Sequence, residues 1–155
     1  MLSQQSGMVN LLGKRLEFKI MLKLSHVLET ALYAMNLEAA EVFYTKLLNQ
    51  APYHQETGRF VFYKLDGSMF LLFNSETTSG DNQGIPSHGA TGPGHACCRI
   101  EEPERESWKQ RLAELRIPIE MEHVWPNGTV SLYFRDPAGN SIELAPWSIW
   151  SRYDK

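Results

Sequence analysis

From Leu24 onward, apolar and polar positions fall into two stretches that repeat one order of elements. The run Leu24 to Ala34 (LSHVLETALYA) alternates as a strand does, and Asn36 then stands where a helix N-cap belongs. Leu37, Ala40, Phe43, Tyr44, Leu47 and Leu48 recur at spacings of three and four, which predicts an amphipathic helix ending near Asn49. Three extended runs follow, Pro52 to Glu56, Arg59 to Leu65 and Met69 to Asn74. Thr57-Gly58 and Asp66-Gly67 supply tight turns between them. The predicted order is β-α-β-β-β.

Residues 75–94 are rich in Ser, Thr, Gly, Asp and Asn and read as a connecting loop, in which His88 is expected to be solvated. The pattern then begins again with a strand from His95 to Ile100. Glu102-Pro103-Glu104 opens a helix whose buried side is Trp108, Leu112 and Leu115. Ile117 to Val124, Val130 to Arg135 and Ser141 to Ala145 are predicted as three further strands. Pro126-Asn127-Gly128 and Asp136-Pro137-Ala138-Gly139 are predicted as the turns between them. A shift of 66 carries Glu29 onto His95 and Asn36 onto Glu102, and a shift of 72 carries Gly67 onto Gly139. Residues 24–147 therefore read as one domain of two modules, 24–76 and 93–147, preceded by an arm (1–23) and followed by a tail (148–155).

Composition narrows the function classes. At 155 residues with 43% hydrophobic content, the chain can build a core without a disulfide or metal staple. Fifteen Lys and Arg against eighteen Asp and Glu, with no basic stripe, argue against nucleic acid as a partner. No apolar run approaches the roughly 20 residues that cross a bilayer, so no membrane partner is expected. Cys97 and Cys98 are adjacent and point to opposite faces of a strand, which disfavours a disulfide and suggests a reducing, cytoplasmic setting.

Alternation also assigns faces in the last strand. Ile142 and Leu144 share the apolar side, which sends Ser141 and Glu143 to the other, and Tyr133 and Arg135 likewise oppose Leu132 and Phe134. Parity puts Cys97 on the His95 side and sends His26 to the side opposite Glu29.

The words Gly92-Pro93-Gly94-His95 and Phe134-Arg135-Asp136-Pro137-Ala138-Gly139-Asn140-Ser141-Ile142-Glu143-Leu144 resemble the vicinal oxygen chelate superfamily, as do Leu28-Glu29-Thr30-Ala31-Leu32-Tyr33 and Phe43-Tyr44. That superfamily includes glyoxalase I, bleomycin and fosfomycin resistance proteins and extradiol dioxygenases. The resemblance implies an α+β fold in which two β-α-β-β-β modules form a cup-shaped, curved mixed sheet with helices outside. It further implies a divalent metal (Mn, Ni, Zn, Fe or Mg) held by Glu29, His95 and Glu143, and a homodimer. Many members carry His at the position of Glu29, and a further carboxylate position of glyoxalase I falls on Leu71, which cannot bind a metal.

One imidazole and two carboxylates suit a divalent cation with coordination positions left for a small substrate's neighbouring oxygens. Two carboxylates about 4 Å apart repel by roughly 4 kcal/mol at an effective dielectric near 20, so Glu29 and Glu143 would need a cation or a proton between them. By the shift of 72, Arg59 maps onto Ser131, which makes Tyr133 and Arg59 the candidate catalytic groups orienting a substrate. The competing reading is a metal-free protein that sequesters a small molecule in an aromatic and apolar cup.

Overall fold

The computed structural model describes residues 22–80 and 86–153. Most of the predicted arm lies outside the described residues. The elements are β1 (Glu29–Tyr33), α1 (Leu37–Leu48), β2 (His54–Glu56), β3 (Phe60–Leu65), β4 (Ser68–Phe73) and the single-turn α2 (Ser75–Thr78). The second half has β5 (His95–Arg99), α3 (Arg105–Glu114), β6 (Ile119–Val124), β7 (Val130–Arg135) and β8 (Ser141–Ala145). A 3-10 turn, Glu102–Glu104, leads into α3, and a longer one, Trp147–Tyr153, closes the described chain.

The start and stop signals act as their chemistry requires. Asn36 caps α1 by accepting from the Ala39 amide at 3.0 Å, and Asn49 ends it in the left-handed conformation. Glu101 and Glu104 form a reciprocal capping box around Pro103. The first strand is shorter than its alternation suggests, because residues 22–28 precede β1 as exposed extended chain.

Each module closes one sheet with the same strand order, β1-β4-β3-β2 and β5-β8-β7-β6. In each, the first and last strands run parallel and the remaining pairs antiparallel. The ladders give the internal repeat a structural meaning. Glu29 pairs with Met69 and His95 with Ser141, so shifts of 66 and 72 superimpose one parallel ladder on the other. Across the antiparallel ladder the offset is 71, since Phe62 opposes Leu71 as Tyr133 opposes Glu143. Arg59 therefore corresponds to Val130 and not to Ser131.

The expected cup is not what forms. The strands make two separate open sheets of four, and the sheets are not curled or closed into a cup. The neighbouring edges meet by side-chain contact instead of a strand ladder. A Cβ on Gly94 would stand 2.9 Å from Leu32 Cδ2, and Asn140 Nδ2 donates to the Tyr33 carbonyl at 3.2 Å. Alternation decides which side chains share a face, but it does not decide whether two edge strands will exchange hydrogen bonds.

The helix-side faces of both sheets contribute to one apolar core. Leu32, Tyr44, Tyr63 and Leu72 of the first module join Leu112, Leu132, Phe134 and Ile142 of the second, all nearly inaccessible. At about 1.5–3 kcal/mol for each large apolar side chain removed from water, this shared core is what holds the modules together.

Candidate functional site

The outward face of the second sheet brings three of the five predicted site residues together. Glu143, on β8, pairs with Cys97 of β5 on one side and with Tyr133 of β7 on the other. Its carboxylate is buried at 5% exposure, and Oε2 lies 3.4 Å from His95 Nε2. Oε1 is buried and has no hydrogen-bond partner. A buried carboxylate oxygen left unpaired carries a desolvation cost of about 1–3 kcal/mol or more.

The imidazole is oriented from behind. His95 Nδ1 lies 3.0 Å from the Ser141 carbonyl, which can only accept, so Nδ1 carries the proton. In the neutral ring Nε2 then presents its lone pair toward Glu143. Nε2 and Glu143 Oε2 thus face each other at 3.4 Å, as an ion pair when the ring carries a second proton and as two electron-pair donors when it is neutral. This arrangement fits a cation, and the Ser141 carbonyl is the kind of partner that orients a metal-ligating histidine.

The same carboxylate shapes its neighbours. Burial, followed by the charge of Glu143, pushes the Cys97 thiol up to about 12. Burial, followed by the neighbouring Glu143 carboxylate, pushes the Tyr133 phenol up to about 12. Both groups are therefore neutral at physiological pH and able to donate to the carboxylate. The Tyr133 ring lies nearly parallel to that of His95, with centroids 6.3 Å apart. Beside them a cleft of about 300 Å³ opens over β6 and β7, lined in part by His123, Trp125, Tyr133 and Ser141. Trp125 is fixed there by donating to Ser131 Oγ at 2.8 Å, with His123 edge-on to its ring at 4.5 Å.

Glu29 and Arg59 are not brought to this cluster. Glu29 is exposed at the start of β1, on the other sheet, opposite Met69. Arg59 donates to both oxygens of Glu56 at 3.0 Å in the turn before β3. Among the described residues no group of three or more His, Cys, Asp or Glu side chains is arranged to hold a metal ion. Of the three ligands that the resemblance implied, His95 and Glu143 lie together and Glu29 lies apart.

At the corresponding positions the first module is apolar. Phe62 stands where Tyr133 does and Leu71 where Glu143 does. Phe60 and Phe62 stack at 4.3 Å, and Phe73 packs against the edge of His88 at 4.5 Å. His88, in the connecting loop, is half-buried with Nδ1 3.0 Å from the Tyr33 hydroxyl.

Two buried polar residues, Asp136 and Asn140, do work that periodicity does not reveal. Asp136 accepts from the Tyr44 hydroxyl at 2.9 Å, from the amides of Ala138 and Asn140, and from Asn140 Nδ2. Together with burial, this carboxylate drives the Tyr44 phenol far above its usual range. The signal for it in the chain is an Asp four residues before an Asn across Pro-Ala-Gly, a turn-forming spacing.

The profile of the glyoxalase/bleomycin resistance protein/dioxygenase superfamily matches residues 23–144. The chain belongs to this superfamily. A solved lactoylglutathione lyase from Agrobacterium tumefaciens is 43% identical, with 81% of this chain and 96% of that one covered and a TM-score of 0.78. An integron cassette protein from the mobile metagenome of the Halifax Harbour sewage outfall is 23% identical over 79% of this chain and 99% of that one, with a TM-score of 0.63. A glyoxalase/bleomycin resistance protein/dioxygenase from Nocardioides is 20% identical over 83% and 87%, with a TM-score of 0.65. These last two support the fold alone. Comparison with curated proteins gives no match. Within the superfamily frame, the Asp-Pro-Ala-Gly-Asn ending is the turn that buries Asp136 and leads into Glu143. No helix among the described residues is long and apolar enough to cross a membrane.

Proposed function

We propose that this chain is a divalent-metal-dependent enzyme of the lyase or isomerase type, acting on a small organic substrate through two neighbouring oxygens. The observation that carries this reading is the buried Glu143 carboxylate, whose Oε2 lies 3.4 Å from His95 Nε2 and whose Oε1 is unpartnered. The 43% identical lactoylglutathione lyase makes lactoylglutathione the first compound to assay. Leu71, buried where a further carboxylate of glyoxalase I would fall, marks a departure in the ligand set.

His95 and Glu143 would hold the metal, and a bound cation supplies Lewis-acid stabilisation of negative charge developing on substrate oxygen. Tyr133, whose phenol is held up to about 12 and which pairs with Glu143 across the ladder, would donate a hydrogen bond to that oxygen. The cleft beside it would take the remainder of the substrate, with Trp125 and His123 as its aromatic wall. Glu29 would complete the ligand set only when supplied from elsewhere, and a second copy of the chain in a homodimer is one source.

Lactoylglutathione turnover is measured with the protein loaded in turn with Mn, Ni, Co and Zn, then after chelation. Turnover that disappears with the chelator and returns with metal supports the reading. Metal uptake without turnover of this or other oxygen-chelating substrates would count against an enzyme of this kind.

A second reading, a metal-free protein that sequesters a small molecule, is favoured by the lack of a three-ligand group among the described residues. Tight binding of a flat apolar ligand to chelator-treated protein, with no metal uptake, would select it.

A further inference from the structure

We propose that Asn140 is the positioning residue of the His95–Glu143 pair. The inference rests on the metal reading above. Asn140 is 1% exposed, and its amide group reaches both modules. Oδ1 accepts from the Gly94 amide at 2.7 Å, and Nδ2 donates to the Tyr33 carbonyl at 3.2 Å and to Asp136 Oδ2 at 2.8 Å. The next residue completes the grip, because the Ser141 amide donates to the Gly94 carbonyl at 2.9 Å. Both backbone groups of the residue preceding His95 are thus held by the 140–141 dipeptide.

The same dipeptide governs the ring. The Ser141 carbonyl receives His95 Nδ1, and Glu143 lies two residues further along β8. One short stretch of backbone therefore sets where His95 begins, which nitrogen faces forward, and where the carboxylate stands. Asn140 is the side chain that locks this stretch to β5 and to the end of β1. It touches neither ligand, so it acts through the backbone of Gly94. A side chain at Gly94 would meet the lock directly, since its Cβ would lie 3.2 Å from Asn140 Oδ1. A partner that hydrogen-bonds a metal ligand from behind governs metal affinity by about 10–100-fold, and here that partner is the Ser141 carbonyl, which Asn140 holds in place through Gly94.

Asn140→Ser and Tyr44→Phe are compared with the wild-type chain for Co(II) affinity by calorimetry, for the visible spectrum of bound Co(II), and for thermal stability without metal. Both substitutions remove hydrogen bonds from one buried hub, but only Asn140 reaches Gly94. The expected result is that both lower the melting temperature while Asn140→Ser alone weakens Co(II) binding by about tenfold or more and alters its spectrum. Equal Co(II) affinity in all three proteins, or a loss in both variants that follows their loss of stability, overturns the proposal. A wild-type chain that takes up no Co(II) instead overturns the metal reading. Should Asn140→Ser not fold, Gly94→Ala perturbs the same contact from the other side and is expected to weaken Co(II) binding likewise, with unchanged affinity overturning the proposal.

Discussion

Cys97 stands directly opposite Glu143 in the parallel ladder between β5 and β8, so thiol and carboxylate leave the sheet on the same side. Partial burial, together with the carboxylate, holds the thiol at about 12, although Cys97 is exposed as a residue. Since the thiolate is the nucleophile, alkylation of Cys97 by iodoacetamide at neutral pH is expected to be slower than that of an unperturbed cysteine. Glu143→Gln removes the negative charge and is expected to accelerate it. Site-resolved mass spectrometry of chelator-treated protein checks both, and an unchanged rate in the variant would contradict the assigned cause.

Alkaline stability follows from the same group. The Tyr133 phenol rises from 10.0 to about 12 in the folded chain, and a folded value above the unfolded one favours the neutral form. Its contribution to stability is complete below pH 10 and is lost as pH climbs through 12. Metal-free protein is therefore expected to lose denaturant resistance across this window, and Glu143→Gln is expected to lose less. Urea unfolding at two pH values, one below 10 and one near 12, measures the difference.

The Tyr44 hydroxyl donates to Asp136 across the seam between α1 and the turn after β7. A buried hydrogen bond to a charged acceptor contributes about 1.5–3 kcal/mol. Tyr44→Phe is expected to lower unfolding free energy by about that amount. A cost below about 0.5 kcal/mol, the low end for any hydrogen bond, would show that Asn140 Nδ2 alone satisfies that oxygen.

Gly139 adopts φ +85° in the turn between β7 and β8. The left-handed region costs an L side chain roughly 1–2 kcal/mol. Gly139→Ala is expected to destabilise by that much, read as a lower urea midpoint.

Much of this architecture is legible in the chain itself. Periodicities of two and 3.6 locate both long helices and the eight strands, and alternation alone puts Glu143 and Tyr133 on the face of the second sheet opposite its apolar side. The superfamily resemblance singles out the same His95 and Glu143. The differences have physical reasons. The offset between modules changes from 72 to 71 between β4/β8 and β3/β7, and a slip of one residue is enough to misplace Arg59. Whether β1 and β5 join in a ladder depends on the packing of Leu32 against Gly94 and on Asn140, none of which leaves a periodic trace. Glu29 enters the ligand set through the resemblance, and nothing in the local pattern of β1 shows that it stays exposed on a separate sheet.

In the proposed function, His95 and Glu143 hold a cation between them. Its most direct test is the metal content of protein purified without chelators, measured beside Glu143→Ala handled identically. About one divalent transition metal per chain, lost in the variant, is the predicted result. A wild-type chain that carries none and takes up none on exposure to Mn, Ni, Zn or Fe would contradict it.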